Sequence, residues 1–174
     1  MLKICYTVAK DTTRFAERKA AGELVEKMLE REGLKDFLLA KTKKGKPYIV
    51  GSDLKIGITH KNGYVFVAVS DGEVGIDFEK IANNNPIVAK RIMPDDVHEK
   101  YLAAENGAEY LYSVFSAREA FSKLSGEGFP FLLSRKPITC EMRQKTYFFD
   151  GEEYVLSVCG EKITDFSFEK IERL

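Results

Sequence analysis

Apolar and polar positions alternate through residues 2–8, LKICYTV, and that period of two predicts a strand. From Thr12 or Thr13 the period lengthens. Phe15, Ala20, Leu24, Val25, Met28 and Leu29 recur at helical spacing to about Arg31, and Gly33 is the expected stop. A lysine-rich loop, KTKKGKPYIV, then leads into a short strand. LKIGITH and YVFVAVS read as strands joined at Asn62-Gly63, which is hairpin chemistry. Asp71-Gly72 is a second such signal, so YVFVAVS and EVGIDFEK are expected to pair antiparallel. Val69 would then oppose Val74, Val67 oppose Ile76 and Val65 oppose Phe78.

After residues 82–86, ANNNP, the texture changes. Residues 86–92, 94–104 and 107–125 read as helices. Strands are expected again in FLLSRKPITCEM, KTYFFDG, YVLSVCG and ITDFSFEKI. The fold class is α+β, as two similar lobes over residues 1–82 and 83–174.

Composition narrows the classes of partner. The 174 residues carry 27 basic and 27 acidic side chains, a balance that does not indicate nucleic acid. The first ten residues lack the apolar run and cleavage pattern of a signal peptide, and no apolar stretch is long enough for a membrane span. Cys5, Cys140 and Cys159 are odd in number and form no CxxC pair. Together these features predict a cytoplasmic protein with reduced thiols and no membrane partner.

One strand carries an electrostatic problem. In EVGIDFEK, Val74, Ile76 and Phe78 share one face, while Gly75, Asp77 and Glu79 share the other. The two carboxylates lie about 7 Å apart along the strand. A solvated edge carrying charges against aggregation is one reading. A divalent-cation site is the other, because a hard ion removes the repulsion and prefers oxygen donors.

The helix AEYLYSVFSAREAFSKL places Tyr110, Val114, Ala117, Phe121 and Leu124 on one stripe. Glu119 lies nearly opposite, with Lys123 one turn further on. By itself that pair is an ordinary surface ion pair, yet Tyr112 and Phe115 lean to the same side and suggest the wall of a cleft. Lys41, Lys43, Lys44 and Lys46 fall within six residues, and Arg14, Arg18 and Lys19 begin the first helix. These are either solvated charges or a phosphate-binding cluster. His60, at a strand end before a tight turn, reads by itself as structural more often than as a phosphate contact.

GKPY (45–48), ITH (58–60), VGIDFEK (74–80) and FSAREAFSKLSGEG (115–128) together resemble the Sfp-type 4′-phosphopantetheinyl transferases. That family shows GKP, a Ser-His pair, (V/I)G(V/I)D-x-E and (W/F)-x-x-KE-(A/S)-x-x-K in this order. The resemblance implies a monomer of two related α+β lobes with the active site in the cleft between them. It implies Mg²⁺, or Mn²⁺, held by Asp77, Glu79 and Glu119 against the pyrophosphate of coenzyme A. It further implies an apo acyl or peptidyl carrier protein whose serine takes the phosphopantetheine. Glu119 then stands as proton acceptor and Lys123 at the phosphates. Lys46, Thr59, His60 and Arg18 are the implied coenzyme A contacts, Arg18 at the 3′-phosphate. Arg118, Phe115 and Thr59 replace the usual lysine, tryptophan and serine. A coenzyme A- or carrier-binding module without turnover, and a metal-dependent phosphate-ester hydrolase, are the alternative readings.

Overall fold

Thr13 begins the first long helix: its hydroxyl accepts from the Ala16 N–H, and α1 runs over Arg14–Arg31. The chain turns out of it at Gly33, whose φ of 81° favours glycine. Ala20, Leu24, Val25, Met28 and Leu29 are buried as the periodicity requires, whereas Phe15 is 79% exposed and lies outside that stripe. A computed structural model describes residues 1–161, 163 and 165–172 of the chain.

The buried stripe of α1 packs on a four-stranded sheet. It contains β1 (Leu2–Val8), β4 (Lys55–Lys61), β5 (Tyr64–Ser70) and β9 (Glu169–Lys170) in the order β4-β5-β1-β9. Val65, Val67 and Val69 of β5 face α1, as do Cys5 and Ile56. Asn62 and Gly63 adopt φ of 52° and 84° and close the β4–β5 hairpin, as the sequence predicts. A separate two-stranded ribbon, β2 (Leu38–Lys41) with β3 (Pro47–Val50), carries the lysine-rich turn.

β6 (Val74–Lys80) departs from expectation. It does not pair with β5, whose two edges are taken by β1 and β4. Instead β6 pairs antiparallel with β8 (Glu152–Gly160), and β7 (Glu141–Phe149) adds on the far side, giving the order β6-β8-β7. The change of sheet therefore falls at Asp71-Gly72 and not near residue 82. Val74, Ile76 and Phe78 do enter the core as alternation requires. There they meet the second face of β5, across the space between two sheets, with Phe66 and Phe78 rings 4.5 Å apart.

The face of β6 that carries Gly75, Asp77 and Glu79 is covered by α4 (Gly107–Ser125). A Cβ on Gly75 would lie 2.1 Å from the Ala120 carbonyl oxygen, so the glycine lets the helix approach the strand closely. Ser116 Oγ donates to the Asp77 carbonyl at 3.3 Å and accepts from Ser157 Oγ at 2.8 Å. These bonds register α4 against β6 and β8. Gly75→Ala is expected to cost about 1–3 kcal/mol by overpacking, read as a lower melting temperature; an unchanged melting temperature would mean that α4 can retreat.

Between β6 and α4 lie the short helices α2 (Pro86–Ile92) and α3 (Asp95–Leu102), close to their predicted ranges. After α4 comes α5 (Phe129–Leu133), where a strand was expected to begin at Phe131. The apolar run FPFLL fits either element, and tertiary contacts decide for the helix. Arg118, 2% exposed, donates to the carbonyls of Phe131, Leu132 and Lys136 and stacks over the Phe131 ring. Arg118→Ala strands those carbonyls and is expected to destabilise the fold by about 3 kcal/mol, as urea unfolding would measure. Of the last expected strand only Glu169–Lys170 pairs, parallel to β1; Thr164 lies outside the described residues. Among the described residues no helix is long and apolar enough to cross a membrane.

Candidate active site

Alternation along β6 turns Asp77 and Glu79 toward α4, and the helix brings Glu119 and Lys123 to the same place. Asp77 is 3% exposed. Its Oδ1 accepts from Lys123 Nζ at 2.6 Å and from Thr59 Oγ1 at 3.3 Å. Thr59 Oγ1 in turn lies 3.2 Å from the donating Phe78 N–H and 3.2 Å from Lys123 Nζ. The threonine hydroxyl thus ties the edge of β4 to β6. Asp77 Oδ2, by contrast, is buried with no partner. Glu79 pairs with Lys61 Nζ at 2.5 Å.

Burial, followed by the charge of Asp77, pushes the Glu79 carboxyl above the usual carboxylate range, against the pull of Lys61 and Lys123. The same two causes raise Glu119, again opposed by Lys123 and Lys61. Asp77 therefore opposes ionisation of both Glu79 and Glu119, and two ammonium groups partly offset it.

Beside this cluster opens a cleft of about 750 Å³. Its walls come from α1, the β2–β3 ribbon, β4, α4 and the Gly126–Phe129 loop. Arg18, Lys41, Lys44, Lys46, His60 and Lys123 line it, with Glu119 at the carboxylate side. Gly126 and Gly128 have φ of 68° and 67°, so the loop following α4 keeps its backbone close to this cavity. The basic residues that looked separate in sequence thus share one wall.

The expected site residues do not all stand free. Lys46 Nζ pairs with Glu73 and donates to the Leu124 carbonyl at 2.8 Å, so it braces the ribbon against the end of α4. His60 Nδ1 donates to Glu17 Oε2 at 2.7 Å. Glu17 and Lys61 escaped the sequence reading. Glu17 looked like any exposed helical glutamate, and Lys61 like part of a turn. Only the fold shows that one is buried and the other reaches a carboxylate 18 positions along the chain.

The residues fit a hard divalent cation in donor type, since the set is all oxygen and one buried oxygen of Asp77 lacks any partner. Among the described residues no three His, Cys, Asp or Glu donors converge as an assembled metal centre. Lys61 and Lys123 stand on the carboxylates that a cation would take.

A chain with this α+β fold, a carboxylate cluster and a basic cleft has a site of the class that suits phosphate-bearing ligands. Its sequence specifies the class further. Residues 73–164 match the family model described as the 4′-phosphopantetheinyl transferase superfamily, and the chain belongs to that superfamily. It is 35% identical over 79 residues to the 4′-phosphopantetheinyl transferase psf-1 of Bacillus pumilus, covering 44% of this chain and 34% of that protein. To a 4′-phosphopantetheinyl transferase of Bacillus subtilis it is 31% identical over 87 residues, covering 48% of this chain and 39% of the other. The match thus spans little more than a third of either relative.

Proposed function

We propose that this protein transfers 4′-phosphopantetheine from coenzyme A to a serine of an apo acyl or peptidyl carrier protein, releasing adenosine 3′,5′-bisphosphate. The observation that carries the reading is Asp77, with one buried oxygen lacking a partner and its charge felt by both Glu79 and Glu119, beside a cleft walled by basic side chains. The curated relatives bear the name of this activity.

In this reading the serine oxygen attacks the β-phosphorus of coenzyme A. A P–O bond to serine forms, the bridging P–O bond breaks, and the departing bisphosphate takes the electron pair. Glu119 accepts the serine proton. Lys123, already at Asp77 and beside the cleft, moves its charge to the phosphates. Arg18 and His60 hold the outer phosphates, while Thr59 keeps β4 and β6 in register. Mg²⁺ or Mn²⁺, held by Asp77, Glu79 and Glu119, would polarise the pyrophosphate and offset charge on the leaving group.

Two related lobes in one chain are part of the proposal. The orders β4-β5-β1 and β7-β8-β6 support it, since each begins with a strand, carries one long helix and returns through a hairpin. A monomer is likewise part of the proposal. Three unpaired thiols support a reducing, cytoplasmic setting.

Intact mass spectrometry of an apo acyl carrier protein, incubated with this protein, coenzyme A and Mg²⁺, tests the reading. A gain of one phosphopantetheine, abolished by EDTA, is expected. Binding of coenzyme A with no gain on several carriers would make the chain a binding module. Cleavage of coenzyme A without carrier modification would make it a hydrolase.

A further inference from the structure

Glu17 is a buried carboxylate that the chemistry above does not use. It sits in the first turn of α1 with its side chain 7% exposed. Each oxygen accepts one hydrogen bond: Oε2 from His60 Nδ1 at 2.7 Å, Oε1 from the Gly63 N–H at 2.9 Å. The helix N-terminus favours the negative charge there. An ionised carboxylate only accepts, so the imidazole must carry its proton at Nδ1.

Position along β4 explains why this ring is reached from α1. Thr59 turns toward Asp77, and the next residue, His60, turns to the opposite face. His60 is nevertheless part of the wall of the cleft that Arg18 also lines. With Nδ1 committed to Glu17, Nε2 is the ring nitrogen left for a ligand.

We propose that Glu17 is the positioning residue for His60, fixing the ring with Nδ1–H toward α1 so that Nε2–H donates to a phosphate of coenzyme A in the cleft. The inference rests on the transferase reading for the identity of that ligand. With a carboxylate on one nitrogen and a phosphate on the other, both ring nitrogens donate and the ring binds as imidazolium. The other charges lining the same cleft are Arg18 from α1, Lys41, Lys44 and Lys46 from the ribbon segment, and Glu119 and Lys123 from α4. Five of these six are cationic and oppose a further positive charge. Glu17 is the anion hydrogen-bonded to the ring, so it supplies the compensation that the cleft lacks.

Calorimetric binding of coenzyme A with Mg²⁺ present, to the wild type, Glu17→Gln, His60→Ala and the double variant, tests this. Glutamine keeps the length of the side chain and can still accept from the Gly63 N–H. Equal melting temperatures for wild type and Glu17→Gln are the fold control. Glu17→Gln is expected to weaken binding about tenfold, as loss of a supporting carboxylate behind a ligating histidine does elsewhere. The double variant should bind no more weakly than His60→Ala alone. Losses that add, or an unaffected Glu17→Gln, would show that Glu17 serves only the turn and would overturn the proposal.

Nitrogen chemical shifts of the ring give a readout that needs no ligand. The chain has two histidines, so His98 serves as internal reference. His60 is expected to be protonated at Nδ1 in the wild type and to lose that preference in Glu17→Gln. A wild-type ring unprotonated at Nδ1 would overturn the positioning role, whatever the binding result. Wild-type protein that binds no coenzyme A, yet shows the Nδ1 proton, would sink the transferase reading and the phosphate role of His60 with it, leaving the ring geometry intact.

Discussion

Glu119→Gln is expected to lower phosphopantetheine transfer about 100-fold or more, the usual contribution of a general base, while coenzyme A still binds. The substitution keeps shape and one oxygen but cannot take the serine proton. The fold should not suffer. Burial and the charge of Asp77 raise the Glu119 carboxyl pKa, so the folded chain holds that proton more tightly than the unfolded chain. That stabilising difference is present below the ordinary glutamate value and is lost as pH rises through the raised value. Once ionised, Glu119 therefore costs stability, and glutamine removes the cost. A melting temperature at pH 7 equal to or above that of the wild type is the expected companion result. Near-normal turnover of Glu119→Gln would remove this residue from the base role.

Asp77→Ala is the second large effect. Loss of residues that merely support metal ligands costs about 10–100-fold in metal affinity, so removing a buried ligand should cost more than about 100-fold. Metal-dependent coenzyme A binding should fall accordingly, with Mn²⁺ resonance spectra reporting the ion directly. The buried Oδ2 without a partner marks Asp77 as the oxygen donor least satisfied by protein alone. The substitution also frees Lys123, whose Nζ pairs with Oδ1. It removes the second-largest cause of the raised Glu79 and Glu119 values, so both carboxyls should titrate closer to the usual range. Ion binding unchanged in Asp77→Ala would refute the ligand assignment.

Much of the site was legible because its elements obey local rules. Period-two alternation in EVGIDFEK places Asp77 and Glu79 on one face and Val74, Ile76 and Phe78 on the other, whatever strand lies alongside. The Asn62-Gly63 turn follows from backbone preference alone. Helical spacing puts Glu119 and Lys123 on one side of α4. The ordered motifs between residues 45 and 128 carried the family resemblance, and the match over residues 73–164 agrees with it.

Pairing was less legible. Asp71-Gly72 has hairpin chemistry, but β5 has no free edge once β1 and β4 flank it, and β6 must cross to the second sheet. The lysine run offers another instance. Lys46 shares its charge between Glu73 and the Leu124 carbonyl, partners 27 and 78 positions away. Arg118 appeared only as a replacement for the usual lysine, and the fold shows it clamping α5 from within.

By itself the sequence determined where most helices and strands lie, which faces of them are apolar and which carboxylates share a face, because those properties depend on neighbours within a few residues. Only the tertiary structure decided that β6 joins β8, that Glu17 lies buried behind His60 and that Lys61 stands on Glu79. Edge occupancy and burial are set by residues far apart in the chain, and alternation of polar and apolar positions carries no record of which partner arrives.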